Sequence, residues 1–330
     1  MTTTTRTKLI AAFIALSLCA TWFSLMRAAA NGNSKNSLTL YVFVADSHIH
    51  GHYDQLADVW KPRIGGNWIA GRLADAFADD GRLTKAAYQN VFGAYHAGWL
   101  LLIFATLICL ADNPMFVIPL MFAGLCYSLT PPDNVTFFPW DLPSMFFWTL
   151  SFLLWQRKNY RWMLATIVLG TMFKETVAVM ALLFFFTTIS WRQRWALFGA
   201  AFVACLLLKL WITYAVMGQA RVFTADSGGH LSFHVLKGLF TPHLNHVIWV
   251  NAGTFIVALF LPMRTLIDRG TKLVLVVFFA GLTVACVLAG TDFEFRQFLD
   301  VLPISVLYLN RTIQNWRTSA ASPSTFQPGV

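Results

Sequence analysis

The sequence predicts an all-α, polytopic helical membrane protein of about ten spans, with a long first external loop carrying amphipathic helices in the membrane interface. Three observations predict it. Of the 330 residues 57% are hydrophobic and 12% charged, and the mean hydropathy is +0.59; a soluble domain carries about 25% charged residues, so half the usual solvated surface is missing. The 30 Phe and 13 Trp suit lipid-facing and interfacial positions better than a single aqueous core. Lys and Arg recur in small clusters between apolar stretches, the pattern of a topology signal.

That spacing also removes the simplest reading of the net charge of +9. Nucleic-acid binding needs the charge gathered into one patch or stripe, and here it is dispersed, so no nucleic-acid partner is expected. The cysteines (Cys19, Cys109, Cys126, Cys205 and Cys286) all lie in apolar stretches without metal-ligand spacing, which argues against a disulfide framework or a zinc site.

The first span is 9–26, preceded by Arg6 and Lys8. Ala28-Ala29-Ala30 resembles a cleavage site, but the apolar run exceeds the roughly 7–15 residues of a signal-peptide core, which favours an uncleaved anchor. The following spans are expected at 86–111, 115–130 and 142–156, then at 162–173 and 176–190 around Lys174-Glu175. The remaining four are 195–217, 246–263, 273–290 and 298–309. Several fall short of the ~20 residues of a full crossing and require tilt, local thinning or shielding by neighbours. In the first loop, 53–63 and 68–77 place Leu56, Val59 and Trp60, and Ile69, Leu73 and Phe77, at helical spacing, as interfacial helices do.

The positive-inside rule sets the parity. With the N-terminus in the cytoplasm, Arg157, Lys158 and Arg161, then Arg192 and Arg194, then Arg264, Arg269 and Lys272, then Arg311 and Arg317 all fall on the cytoplasmic side. This works only if 162–190 is a hairpin whose tip, Lys174-Glu175, faces outward. Residues 1–310 then form one membrane domain, with 27–85 as an external loop and 311–330 as a short, disordered cytoplasmic tail, so that both termini are cytoplasmic. Nearly every acidic residue, including both glutamates, Glu175 and Glu294, lies on the far side. The rule concerns Lys and Arg and does not force this, so the concentration of carboxylates points to function on that face.

Four constellations there carry candidate chemistry. In Asp46-Ser47-His48-Ile49-His50-Gly51-His52-Tyr53-Asp54 the histidines alternate. An extended chain would point His48, His50 and His52 the same way, which suits a divalent metal as well as it suits a solvated His-rich loop; Asp46 and Asp54 are candidate catalytic carboxylates. Gly170-Thr171-Met172-Phe173-Lys174-Glu175-Thr176 sets an ion pair at membrane depth, either facing a polar cavity or neutralising itself. Asp141, before Leu142-Pro143, reads first as a helix N-cap. In Thr291-Asp292-Phe293-Glu294-Phe295-Arg296, Arg296 has the fork that binds phosphate bidentately, or it forms a salt-bridged loop with Asp292 and Glu294. Lys209, inside an apolar span, pairs with a carboxylate of another helix or snorkels, and His96 reads as a packing residue.

The order of Tyr53-Asp54 with Lys61-Pro62-Arg63, Trp140-Asp141-Leu142-Pro143, Gly170-Thr171-Met172-Phe173-Lys174-Glu175-Thr176 and Glu294-Phe295-Arg296 resembles the C-type (GT-C) polytopic membrane glycosyltransferases, over about residues 9–310. The resemblance implies a bacterial inner-membrane enzyme, or a non-catalytic relative. It implies a polyprenyl-phosphate-linked sugar donor, membrane lipid as partner, and inverting transfer on the non-cytoplasmic face. Asp54 or Asp46 would be the general base, and a divalent metal or cations would meet the leaving phosphate. Arg63, Lys174 and Arg296 would supply those cations, with Asp141, Glu175 and Glu294 also binding substrate or orienting the cations. The family's paired acids are replaced by isolated Asp46 and Asp54 among histidines. Two other classes fit the same outer charges: a transporter or flippase for an anionic lipid or solute, and a non-catalytic accessory protein.

Overall fold

The computed structural model describes residues 3–32, 52, 63–77, 85–128, 139–218 and 300–321. Among the described residues the chain is helical, without strands. The elements are α1 (Thr3–Gly32), α2 (Ile64–Ala76), α3 (Lys85–Leu110), α4 (Pro114–Ser128), α5 (Asp141–Gln156), α6 (Tyr160–Thr171), a 3-10 helix (Glu175–Phe186), α7 (Trp191–Met217) and α8 (Leu302–Ala321). Each expected span falls on one of these helices except 246–263 and 273–290, which lie outside the described residues together with 53–62.

Among the described residues three stretches are long and apolar enough to cross a membrane, Thr5–Arg27, Gln89–Leu110 and Trp191–Met217. At 1.5 Å per residue the first, of 23 residues, reaches about 35 Å, beyond the ~30 Å hydrocarbon core. α1 packs on α3 and α4, α3 on α5, and α8 closes against α4, α5 and α3. Trp22 meets Phe122 across α1 and α4, and Phe152 meets Tyr308 across α5 and α8.

The chain reverses at 172–174. Gly170 lies against Val177, and ten residues earlier Tyr160 stacks edge-on with Phe184, so α6 and the 3-10 helix run antiparallel. A Cβ at Gly170 would stand 2.5 Å from Val177 Cγ1 and 2.9 Å from Phe147 Cβ, so only glycine permits this approach. The 12-residue 3-10 segment reaches about 24 Å at ~2.0 Å per residue, further than the ~18 Å of an α-helix of that length. A short apolar segment thereby gains length. Runs of this length are uncommon because 3-10 hydrogen bonds are poorer. Arg194 compensates at the end, its Nε donating to the Ile189 carbonyl at 2.9 Å and its Nη1 to the Phe185 carbonyl at 3.1 Å. Ser190 and Gln193 then form a capping box that starts α7.

Turns gather at two ends. At one are Asp112, 157–159 and 187–190, joined by Arg311, whose guanidinium reaches Gln156 at 3.4 Å and Asp112 at 4.0 Å. The α5–α6 turn there is a Schellman motif: Lys158 takes φ 57°, its N–H bonds the Trp155 carbonyl, and the Asn159 N–H bonds the Leu154 carbonyl. At the other end are Arg63, Trp140, 172–176 and Asp300. Exposed aromatics mark both ends, Trp162, Trp191 and Trp195 at the first and Trp68, Trp211 and Tyr214 at the second. Along α7 they are 16 or more residues apart, or about 24 Å and upward, a separation close to that of two membrane interfaces.

Two expectations change in detail. α8 continues through Arg311 to Ala321, so the first part of the expected irregular tail is helix. The interfacial segment 68–77 begins earlier, at Ile64. It seats a face of small residues, Gly66, Ala70 and Ala74, on the bundle, leaving Trp68, Leu73 and Phe77 exposed. Small residues let backbones approach closely where packing has to replace the hydrophobic effect.

Candidate functional site

At the second end the α6 hairpin tip meets α2, the start of α5, α7 and the start of α8. Met172 and Phe173 make the turn, and Lys174 follows in extended backbone (φ −157°, ψ 134°) before Glu175 opens the 3-10 helix. Extended backbone sends successive side chains to opposite sides. Lys174 and Glu175 accordingly do not form the self-neutralised pair that their adjacency allows, and each finds partners elsewhere.

Lys174 turns inward. Its Nζ lies 3.2 Å from Asp300 Oδ2 and 3.5 Å from Asp141 Oδ1, and Thr176 Oγ1 donates to Asp300 Oδ2 at 2.8 Å. All three charged side chains are at least 95% buried. Removing such charges from water costs several kcal/mol each, which good pairing offsets only in part. In this inner cluster Lys174 thus bridges two carboxylates, and Asp300 Oδ1 makes no hydrogen bond among the described residues.

Glu175 turns the other way. Oε1 accepts from Lys209 Nζ, and Oε2 is 3.4 Å from Arg63 Nε. The guanidinium of Arg63 lies 4.9 Å from the Trp140 ring centroid, a cation–π contact that holds its plane. Among the described residues Glu175 thus meets two cations, Arg63 and Lys209.

Backbone contacts place both clusters. The Gly65 N–H donates to the Met172 carbonyl at 3.0 Å, tying α2 to the hairpin tip. A Cβ at Gly66 would stand 2.6 Å from the Pro139 carbonyl oxygen, so that glycine brings Arg63 onto Trp140. Tyr95 donates to the same carbonyl at 2.9 Å, fixing the entry to α5 from the α3 side. Trp99, Phe146, Phe147 and Phe173 form a continuous aromatic cluster beneath the tip.

Arg63, Asp141, Lys174 and Glu175 are thus brought together from three segments of the chain. Asp141 is corrected in role. It is the first residue of α5 rather than its N-cap, and Trp140, the cap position, makes no side-chain cap bond; the carboxylate serves Lys174 instead. Asp46, Asp54, His48, His50, Glu294 and Arg296 lie outside the described residues, and His52 is exposed. Among the described residues no group of three or more His, Cys, Asp and Glu could hold a metal ion.

Three further residues belong to the site. Lys209 takes the first of its two expected fates by pairing with Glu175. Asp300 is buried and completes the inner cluster. His96 is fully buried between Phe92 and Tyr95, near enough to feel the charge of Asp141, and neither ring nitrogen has a hydrogen-bond partner among the described residues. The signal for all three was an ionisable residue inside an apolar run. No family model, curated protein or solved structure matches the chain.

Proposed function

We propose that the chain is a membrane glycosyltransferase of the C type, transferring a sugar from a polyprenyl-phosphate-linked donor to an acceptor at the non-cytoplasmic face of a bacterial inner membrane. One observation carries the reading. Arg63, Asp141 and Lys174-Glu175, the described elements of the family-like pattern, converge at one end of the bundle although up to 112 positions separate them. The opposite end carries Arg157, Lys158 and Arg311, as a cytoplasmic face would.

In this reading the acceptor hydroxyl attacks the anomeric carbon as Asp54, or Asp46, takes its proton; the sugar–phosphate bond breaks and the configuration inverts. Charge develops on the departing lipid phosphate, and Arg63 and Arg296 are the cations proposed to meet it, while Lys174, buried between Asp141 and Asp300, holds the site together. Asp141 and Glu175 hold Lys174 and Arg63 in place, and Glu294 does the same or binds sugar hydroxyls. The α2 face bearing Trp68, Leu73 and Phe77 borders the site and would meet the isoprenoid chain within the bilayer interface. Transfer is measured with a radiolabelled polyprenyl-phosphate sugar and membranes containing the full chain. Asp54→Asn or Asp46→Asn is expected to lower turnover at least ~100-fold. Wild-type turnover in both variants would remove the proposed base.

A transporter or flippase is the second reading, and the inner cluster favours it. Ionisable groups at membrane depth line ion and substrate pathways. Asp141 and Asp300 on Lys174, beside His96, whose ring nitrogens have no hydrogen-bond partner among the described residues, suit such a path. Counterflow of a labelled anionic lipid with no sugar transfer would select it.

A further inference from the structure

α5 and α8 meet at three levels. At the outer end Lys174 joins Asp141 to Asp300, midway the Phe152 and Tyr308 ring centroids lie 5.8 Å apart, and at the far end Arg311 reaches Gln156 at 3.4 Å. The two helices therefore run side by side for about 22 Å, the length of α5 from Asp141 to Gln156 at 1.5 Å per residue. Ser144 and Ser151 lie on the stripe of α5 that begins at Asp141, because steps of three and four residues keep to one side of a helix. That stripe turns from α8 toward α3, since Phe147, one step further round, meets Trp99 of α3. The hydroxyls thus sit where α3, α5 and α8 come together, below His96 of α3 and Asp300 at the start of α8.

Elsewhere in the bundle helical hydroxyls satisfy themselves. Ser17, Thr21, Ser24, Thr106, Thr149 and Ser305 each donate to the carbonyl four residues back. Ser144 and Ser151 do not. Their hydroxyls, both ring nitrogens of His96 and Asp300 Oδ1 have no hydrogen-bond partner among the described residues, and all four side chains are at least 99% buried. Buried polar atoms are costly when unmet, and ordered water is their usual partner.

We propose that ordered water fills the line where α3, α5 and α8 meet and carries protons through the bundle, from the Asp141–Lys174–Asp300 cluster to the Gln156–Arg311 end. This deepens the transporter reading, on which it rests for a path at membrane depth, by naming the ion that moves. In each passage Asp300 Oδ1 takes a proton from water on the outer side and hands it to the next water; the O–H bond formed is the one then broken, and the carboxylate is restored. Asp300 faces Lys174 and Thr176 from the hairpin tip and Asp141 from α5, while α4, which also packs on α8, has no charged residue. His96, beside Asp141, serves the same step, since a neutral imidazole holds one donor and one acceptor. The Ser144 and Ser151 hydroxyls each accept from one water and donate to the next. At the far end Asp112, 71% exposed and 4.0 Å from Arg311, receives the proton in solvent and screens the guanidinium at the mouth.

The test uses the full chain in liposomes that enclose a pH-sensitive dye, with a potassium gradient and valinomycin setting the interior negative. Wild-type vesicles are expected to acidify faster than protein-free ones. Ser144→Ala with Ser151→Ala should slow acidification about tenfold, because two hydrogen-bonding stations leave the line. Asp300→Asn, which keeps the shape and takes no proton, should fall to the protein-free rate; it decides the matter if the double variant does not insert. Thr149→Ala, whose hydroxyl is already given to the Met145 carbonyl, should change nothing. No acidification above protein-free vesicles, or wild-type rates in the inserted variants, would overturn the proton path. Counterflow of a labelled anionic lipid in the same vesicles separates the two ideas. Acidification with the expected losses but no counterflow would remove the lipid as cargo and leave the proton path, and counterflow without acidification would sink this inference alone.

Discussion

Lys174 shows how one side chain can hold together elements that the chain keeps apart. It joins Asp141 at the start of α5 to Asp300 at the start of α8, both nearly fully buried. Lys174→Met would take the ammonium away from two buried carboxylates, Asp141 and Asp300, and a loss of about 3–5 kcal/mol is expected. Melting in detergent should therefore fall sharply in Lys174→Met and recover most of the loss when Asp141→Asn and Asp300→Asn are added. A triple variant as unstable as the single one would mean that Lys174 acts by packing and not by charge. The sequence placed Lys174 and Glu175 at the tip of a hairpin, and the chain does reverse there. It did not reveal that they part company, because the extended backbone at Lys174 is imposed by the turn before it and by partners up to 126 positions away. Asp141 was legible as a helix start, yet its pairing with Lys174 depends on α5 and α6 packing side by side. Lys209 stood out as a charge in an apolar run, without a partner named, and Asp300 was not singled out.

At the scale of elements, glycine decides how close helices come. Gly66 lets α2 rest on the Pro139-Trp140 backbone, and Gly170 lets the 3-10 helix rest on α6. A methyl at Gly66 would push into backbone atoms that no rotamer change can move. Gly66→Ala is expected to cost about 1–3 kcal/mol and to lift Arg63 from Trp140. By contrast Gly199→Ala, which meets nothing within 4 Å, should be neutral or slightly stabilising. Thermal melting of the pair, with Trp fluorescence reporting on Trp140, checks both; equal effects would refute the close-approach account. Helix positions were readable from apolar runs, because burial in protein or lipid both demand them. The small-residue face of α2 was not, since the periodic bulky residues Leu73 and Phe77 drew the eye to the exposed side. The 3-10 geometry of 175–186 was also not legible, as its composition is equally compatible with an α-helix.

For the whole molecule, the reversal at 172–174 governs which loops share a face. Labelling of single cysteines in intact cells or vesicles should find Lys158→Cys and Arg192→Cys on one side and Arg72→Cys on the other. Labelling of all three from one side would break the topology and the one-face account of the site with it. The expected parity rests on clustered Arg and Lys, which carry a physical signal that acts on each loop separately. Which residues meet at the outer end was only partly legible, since that depends on how the spans pack together. The central claim, that this end receives a polyprenyl-phosphate sugar, is tested most directly by mass spectrometry of protein incubated with a panel of such lipids and then purified. The account predicts that the wild type retains a sugar-loaded lipid and that Arg63→Ala loses it. Retention of none of the panel by the folded wild type, or equal retention by Arg63→Ala, would contradict it.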